Sequence, residues 1–152
     1  MSDLKNNHHP TRFLIVEDDD DHAELIKLSM ELSGGNSVFD RVSDGAEALE
    51  FLKQHGVHKD SPLPDVILLD LNMPKVNGHQ VIESVKADNK LKLIPIVVMT
   101  TSNAQQDRIR AYESAVNGYV IKPVNFDQFK ELVCDLEKFW SEWNQPPYDK
   151  SA

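Results

Sequence analysis

Five short apolar runs mark the chain: Phe13-Leu14-Ile15-Val16, Val38-Phe39 with Val42, Val66 to Leu69, Ile96 to Met99, and Tyr119-Val120-Ile121. They are rich in β-branched residues and run continuously rather than alternating. That pattern predicts strands covered on both faces, as in a parallel sheet. Between them, apolar residues return at helical spacing. Leu25, Leu28 and Leu32 share a face before Gly34-Gly35. Ala48, Leu49 and Leu52 mark a second helix, and Val81, Ile82 and Val85 a third, after Gly78. A fourth helix is predicted from about Ala104 to Ala115 and a fifth from Phe126 to about Trp143. Ser102 with Gln105 reads as the cap of the fourth, and Asn125 with Gln128 as the cap of the fifth. Strand and helix alternate five times, which predicts one doubly wound α/β domain: a five-stranded parallel sheet with five helices. The domain is expected over residues 12–143, between tails at 1–11 and 144–152.

Composition narrows the function classes. The 152 residues suffice for one well-filled core. The net charge of -9 gives an acidic surface that repels phosphate backbones, so nucleic acid is not expected as a direct partner. No apolar run approaches the roughly 20 residues of a membrane span. The start "MSDLKNNHHPT" lacks the apolar centre of a signal peptide. The expectation is therefore a cytoplasmic protein without a membrane partner. The single Cys134 cannot form an intramolecular disulfide.

In an open parallel sheet, ligands bind beyond the carboxyl ends of the strands. What each strand ends on is therefore informative. The first ends on Glu17-Asp18, the third on Asp70, the fourth on Thr100-Thr101 and the fifth on Lys122-Pro123. Each has an ordinary explanation by itself: an acidic helix start, an Asx turn, a cap, a solvated lysine. Those explanations do not account for all four falling at one sheet edge. Clustered carboxylates repel unless a cation sits among them. An all-oxygen donor set suits Mg²⁺ or Mn²⁺. Asp70 could then stay ionised and attack a phosphoryl group, with Lys122 supplying a second positive charge and Thr100 a hydrogen bond.

These residues closely resemble the receiver domain of two-component response regulators. The match spans about residues 12 to 140. It rests on "LIVEDD", "LLDLNMPKVNG", "PIVVMTT" and "GYVIKP". The resemblance implies a flavodoxin-like sheet in strand order 2-1-3-4-5, and a phosphoryl group accepted on Asp70 from a histidine kinase. It further implies a metal held by Asp18, Asp70 and the backbone carbonyl of Asn72, with Glu17 acting through water. Thr100 and Tyr119 would form a switch pair. Lys122-Pro123 would be a cis peptide that aims the lysine. Two positions depart from the commonest pattern: Glu17 stands where Asp is usual, and Thr101 where Ala is common. The long "HGVHKDSPLP" stretch and the "KFWSEW" end resemble single-domain regulators paired with phytochrome-type histidine kinases.

Rival readings are weaker. A haloacid-dehalogenase-type phosphatase places a second Asp two residues after its nucleophile; here that position is Asn72, which cannot donate a carboxylic proton. A nucleotide or flavin carrier needs a Gly-rich turn after the first strand, where this chain has "EDDDD". A phosphate-independent binding module remains the other alternative. Finally, Phe126, Phe129, Val133, Leu136, Trp140 and Trp143 form one stripe. Its far end is expected to expose Phe139, Trp140 and Trp143 together, as the contact of a homodimer.

Overall fold

The computed structural model describes residues 9–148. The five apolar runs form strands β1 (Arg12–Val16), β2 (Val38–Val42), β3 (Val66–Leu69), β4 (Ile96–Thr100) and β5 (Gly118–Ile121). Between and after them lie α1 (Asp20–Leu32), α2 (Gly45–Leu52), α3 (Gly78–Ala87), α4 (Gln105–Glu113) and α5 (Phe126–Lys138). All strand pairs are parallel, in the order β2-β1-β3-β4-β5. The central strands β1, β3 and β4 are almost wholly buried, whereas the edges β2 and β5 are partly exposed.

Successive residues of a strand face opposite sides, so one sheet supplies two cores. Leu14, Val16, Ile67, Leu69, Ile96 and Val98 face one side and pack with Val81, Ile82 and Val85 of α3 and Phe51 and Leu52 of α2. Phe13, Ile15, Val66, Leu68, Val97 and Met99 face the other and pack with Ile26 and Met30 of α1 and Phe129 and Val133 of α5. Helix starts follow side-chain chemistry. Asp19 caps α1 by accepting from the Asp21 and His22 amides. Asn77 and Gln80 form a reciprocal capping box on α3, and Asn125 accepts from the Gln128 amide on α5.

The structure corrects three expectations. The Ser102–Gln105 cap does not form: α4 begins after Ala104 without a side-chain cap, because the Ser102 hydroxyl is committed to Asp107 instead. No cis peptide occurs among the described residues, so Lys122–Pro123 is trans, the form favoured by about 0.5–1 kcal/mol for an X–Pro bond. The lysine side chain reaches its carboxylate partners from that backbone. The aromatic trio is also split. The regular helix ends at Lys138 and continues as a π-helical turn over Phe139–Trp143, closed by an i to i+5 bond from the Asn144 amide to the Phe139 carbonyl at 2.8 Å. The wider turn rotates the stripe. Trp140 is half-buried against the α1/α5 core, while Phe139 and Trp143 remain 49% and 65% exposed.

Candidate functional site

The site lies at the carboxyl edge of β1, β3, β4 and β5. Glu17 follows β1, and its amide continues the ladder to the Val42 carbonyl at 3.1 Å. That extension carries its side chain inward, where it is only 2% exposed. Asp70 follows β3, with its amide on the Val16 carbonyl at 3.0 Å. It is 8% exposed. The loop after it folds back tightly: the Gly78 amide donates to the Leu71 carbonyl at 3.0 Å, and a Cβ at Gly78 would lie 2.6 Å from the Asp70 carbonyl oxygen. A residue without Cβ is needed there for the loop to close.

Lys122 resolves the cost of two buried acids. It is 5% exposed, and its Nζ forms a close ion pair with Glu17 Oε1 and a second with Asp70 Oδ2 at 3.1 Å. Its third partner is His22 Nδ1 at 3.0 Å. An ammonium has three N–H donors, and all three are used. The other Asp70 oxygen, Oδ1, accepts from the Asn72 amide at 3.2 Å. The Asx-turn explanation of Asp70 therefore holds alongside the ion pair.

Burial pushes the Glu17 carboxyl up to about 7, against the pull of the Lys122 hydrogen bond and charge and with a further push from the Asp70 charge. The folded chain thus keeps a proton that the unfolded chain releases from about 4.5. Where the folded state holds more protons, stability falls as pH rises. Metal-free protein should lose stability from this group between about pH 4.5 and 7, by an amount on the order of 3 kcal/mol. Urea melts at fixed pH in chelator test this. A stability that rises steadily through that window contradicts it.

Glu17, Asp18 and Asp70 each present an oxygen within 4.8 Å of the others, forming the one such acidic or His/Cys group among the described residues that could hold a metal ion. Asp18 is exposed, as is Asn72. The donor set is hard oxygen throughout, and the span approaches that of one octahedral cation with its waters, so these residues fit Mg²⁺ or Mn²⁺.

Thr100 is fully buried and Thr101 exposed. Thr100 Oγ1 accepts from the Ser102 amide at 3.3 Å, and the Lys122 amide donates to the Thr100 carbonyl at 2.8 Å. Tyr119 is half-buried against the core, and its hydroxyl donates to the Ser102 carbonyl at 3.1 Å. Thr100 and Tyr119 therefore meet on one residue. Pro123 is half-buried beside Lys122.

The sequence reading missed several participants. His22 had no signal beyond its place in the first turn of α1. Arg41 was an unremarked charge in β2. Ser102 also donates to Asp107 Oδ2 at 2.5 Å, while His79 Nε2 lies 3.2 Å from Asp107 Oδ1. These bonds, Ser102 first, hold the Asp107 carboxyl below the usual carboxylate range. An ionised Asp107 only accepts, so His79 Nε2 is the donor in that bond. Ala111 is the one buried side chain of α4, so the Asp107 bonds are its principal polar tether to the sheet edge. Glu137, buried on α5, accepts from Ser33 at 3.0 Å and Ser37 at 2.5 Å and ties α5 to the α1–β2 loop.

The sequence model of the response regulator receiver domain matches residues 13–134. The chain is 39% identical over 145 residues to the probable methanogenesis regulatory protein FilR2 of Methanothrix harundinacea (strain 6Ac), covering 95% of this chain and 93% of FilR2. It is also 39% identical over 142 residues to the response regulator Rcp1 of Synechocystis sp. (strain ATCC 27184 / PCC 6803 / Kazusa), covering 93% and 95% of the two chains. The Mn²⁺-bound structure of Rcp1 superposes with a TM-score of 0.87 at 37% identity, over 91% of this chain and 100% of that one. The phosphorylated cyanobacterial phytochrome response regulator RcpA superposes with a TM-score of 0.88 at 35% identity, over 92% and 100%. A buried carboxylate paired with a lysine at the sheet edge, the strand order and these matches agree: this chain belongs to the response regulator receiver domain family.

Proposed function

We propose that this chain is a phosphoryl-accepting switch, with Asp70 as acceptor and a histidine kinase as donor. The observation that carries the reading is the Asp70 carboxylate, paired with the buried Lys122 ammonium and next to the acids Glu17 and Asp18. An Asp70 oxygen attacks the phosphorus of a phosphohistidine. The P–N bond breaks and the leaving imidazole takes up a proton. Lys122 offsets charge on the transferring oxygens, and the Thr100 hydroxyl donates to one of them. Asp18, Asp70 and the Asn72 carbonyl, with Glu17 through water, would hold a divalent cation that supplies the remaining charge neutralisation; that Rcp1 has a Mn²⁺-bound form supports such an ion. Incubating the purified chain with acetyl phosphate and Mg²⁺ tests the reading. Intact-mass spectrometry should show one added phosphoryl group, and none in chelator.

The new group brings about -1.5 to -2 charges and three acceptor oxygens. Drawing Thr100 toward it loosens the hydrogen bond that Oγ1 accepts from the Ser102 amide. Tyr119 and Asp107 share Ser102, so the change reaches α4 through residues already in contact. The similarity to the cyanobacterial phytochrome response regulator RcpA and the "KFWSEW" end of this chain support a phytochrome-type kinase as donor. Phosphotransfer from such a kinase, run beside an unrelated one, tests the pairing. The receiver is proposed to occupy residues 12–143, to work in the cytoplasm, and to signal by protein contacts. No described helix is long and apolar enough to cross a membrane.

A homodimer is the second part of the proposal. Phe139 and Trp143 stand exposed on one turn, with Tyr148 beyond at 71% exposure. Trp143→Glu should weaken self-association at least tenfold in analytical ultracentrifugation, about 1.4 kcal/mol or more. A wild type that stays monomeric near ~100 μM, a concentration at which a specific contact of this kind should assemble, contradicts it.

A further inference from the structure

Arg41 sits near the end of an edge strand, and the β2 ladder does not need its side chain. The guanidinium turns toward the β1–α1 turn. Its Nε and Nη2 donate to the backbone carbonyl oxygen of Glu17 at 2.9 and 2.8 Å, and Nη2 lies 2.9 Å from Asp20 Oδ1. Glu17 is the residue at which the β1 ladder stops, so its carbonyl has lost its strand partner. Two N–H groups from one planar fork restrict the direction of that carbonyl more than a single donor would. The peptide unit is planar, so orienting the Glu17 C=O also orients the N–H and Cα of Asp18. On the other side, the Asp19 amide donates to Glu17 Oε2 at 3.2 Å, and Asp19 caps α1. Asp18 thus lies between two pinned residues. Its own carboxylate is exposed and accepts no hydrogen bond among the described residues.

We propose that Arg41 is a positioning residue for the divalent-cation site, holding the Glu17–Asp18 peptide so that Asp18 faces the same cleft as Asp70. The inference rests on the metal-binding reading above. As a bare charge, a guanidinium repels a cation, so its benefit here is geometric. A lysine at this position keeps the charge and loses the fork.

The test titrates Mg²⁺ into the full-length chain by calorimetry, with no phosphodonor present. Arg41→Lys should bind about tenfold more weakly, the usual loss when an outer-shell partner is removed. Asp20→Asn breaks the ion pair but leaves both bonds to the Glu17 carbonyl, so its affinity should stay within about twofold of wild type, the scale of one surface pair. Metal-free exchange of the Asp19 amide, which donates to Glu17 Oε2, should speed up in Arg41→Lys and not in Asp20→Asn. Should Arg41→Lys fold poorly, Arg41→Gln, which retains one donor, replaces it with the same expectations. An Arg41→Lys protein with a lowered melting point but unchanged Mg²⁺ affinity and exchange overturns the proposal. So does an Asp20→Asn protein that weakens Mg²⁺ as much as Arg41→Lys. A wild type that takes up phosphoryl groups normally while Arg41→Lys binds Mg²⁺ equally well defeats this inference alone. A wild type that binds no divalent cation defeats the metal reading with it.

Discussion

Asp70→Asn is expected to take up no phosphoryl group from acetyl phosphate or from a kinase, a fall of at least about a hundredfold in rate, or roughly 3 kcal/mol or more in barrier. The substitution keeps the volume of a side chain that is only 8% exposed, so the cleft need not collapse. What it removes is the anionic oxygen that attacks phosphorus. Either orientation of the new amide turns its N–H₂ toward a donor, the Lys122 ammonium or the Asn72 N–H, which now face the two Asp70 oxygens. Some stability is lost by that mismatch. Some is regained, because the Asp70 charge is among the influences that raise the Glu17 carboxyl. Thermal melting beside the labelling experiment separates an unfolded variant from an inert one. A folded Asp70→Asn protein labelled at the wild-type rate would falsify the assignment.

Lys122→Met is expected to destabilise the metal-free chain by about 3 kcal/mol or more near pH 7, the scale for removing one partner of a buried ion pair. For a domain of this size that corresponds to a fall in melting temperature of roughly 6–12 °C. The reason is local. Glu17 and Asp70 are both buried, and Lys122 is the one lysine or arginine paired with either side chain among the described residues. Methionine fills the space of the lysine stem but leaves two neighbouring carboxyls without a cation. They must take up protons or repel each other. The loss should therefore shrink below about pH 4, where model carboxylates are protonated. Saturating Mg²⁺ should restore part of it, since a ligand that binds the folded state alone stabilises it by mass action. Equal stability of variant and wild type in chelator at pH 7 would show that the pair does not hold the site together.

The sequence by itself determined which groups reach the active edge. A parallel sheet brings the carboxyl ends of its strands together, so the residues at the ends of continuous apolar runs were bound to share an edge. Glu17-Asp18, Asp70, Thr100 and Lys122 could all be read from the chain for that reason. The acidic start of α1 and the Asn125 cap were legible as well, because a cap involves residues only three apart. Tertiary structure decided the rest. His22 and Lys122 are 100 residues apart, Ser33 and Glu137 are 104 apart, and His79 and Asp107 are 28 apart. No periodicity relates such positions; their distances follow from how each helix settles on the sheet. The hydrophobic stripe of α5 predicted a straight helix to Trp143, but a π-helical turn over Phe139–Trp143 rotates its end and places Trp140 against the core. Burial of Trp140 and exposure of Trp143 depend on that one turn. Local pattern specifies which face is apolar, but only packing specifies what that face meets.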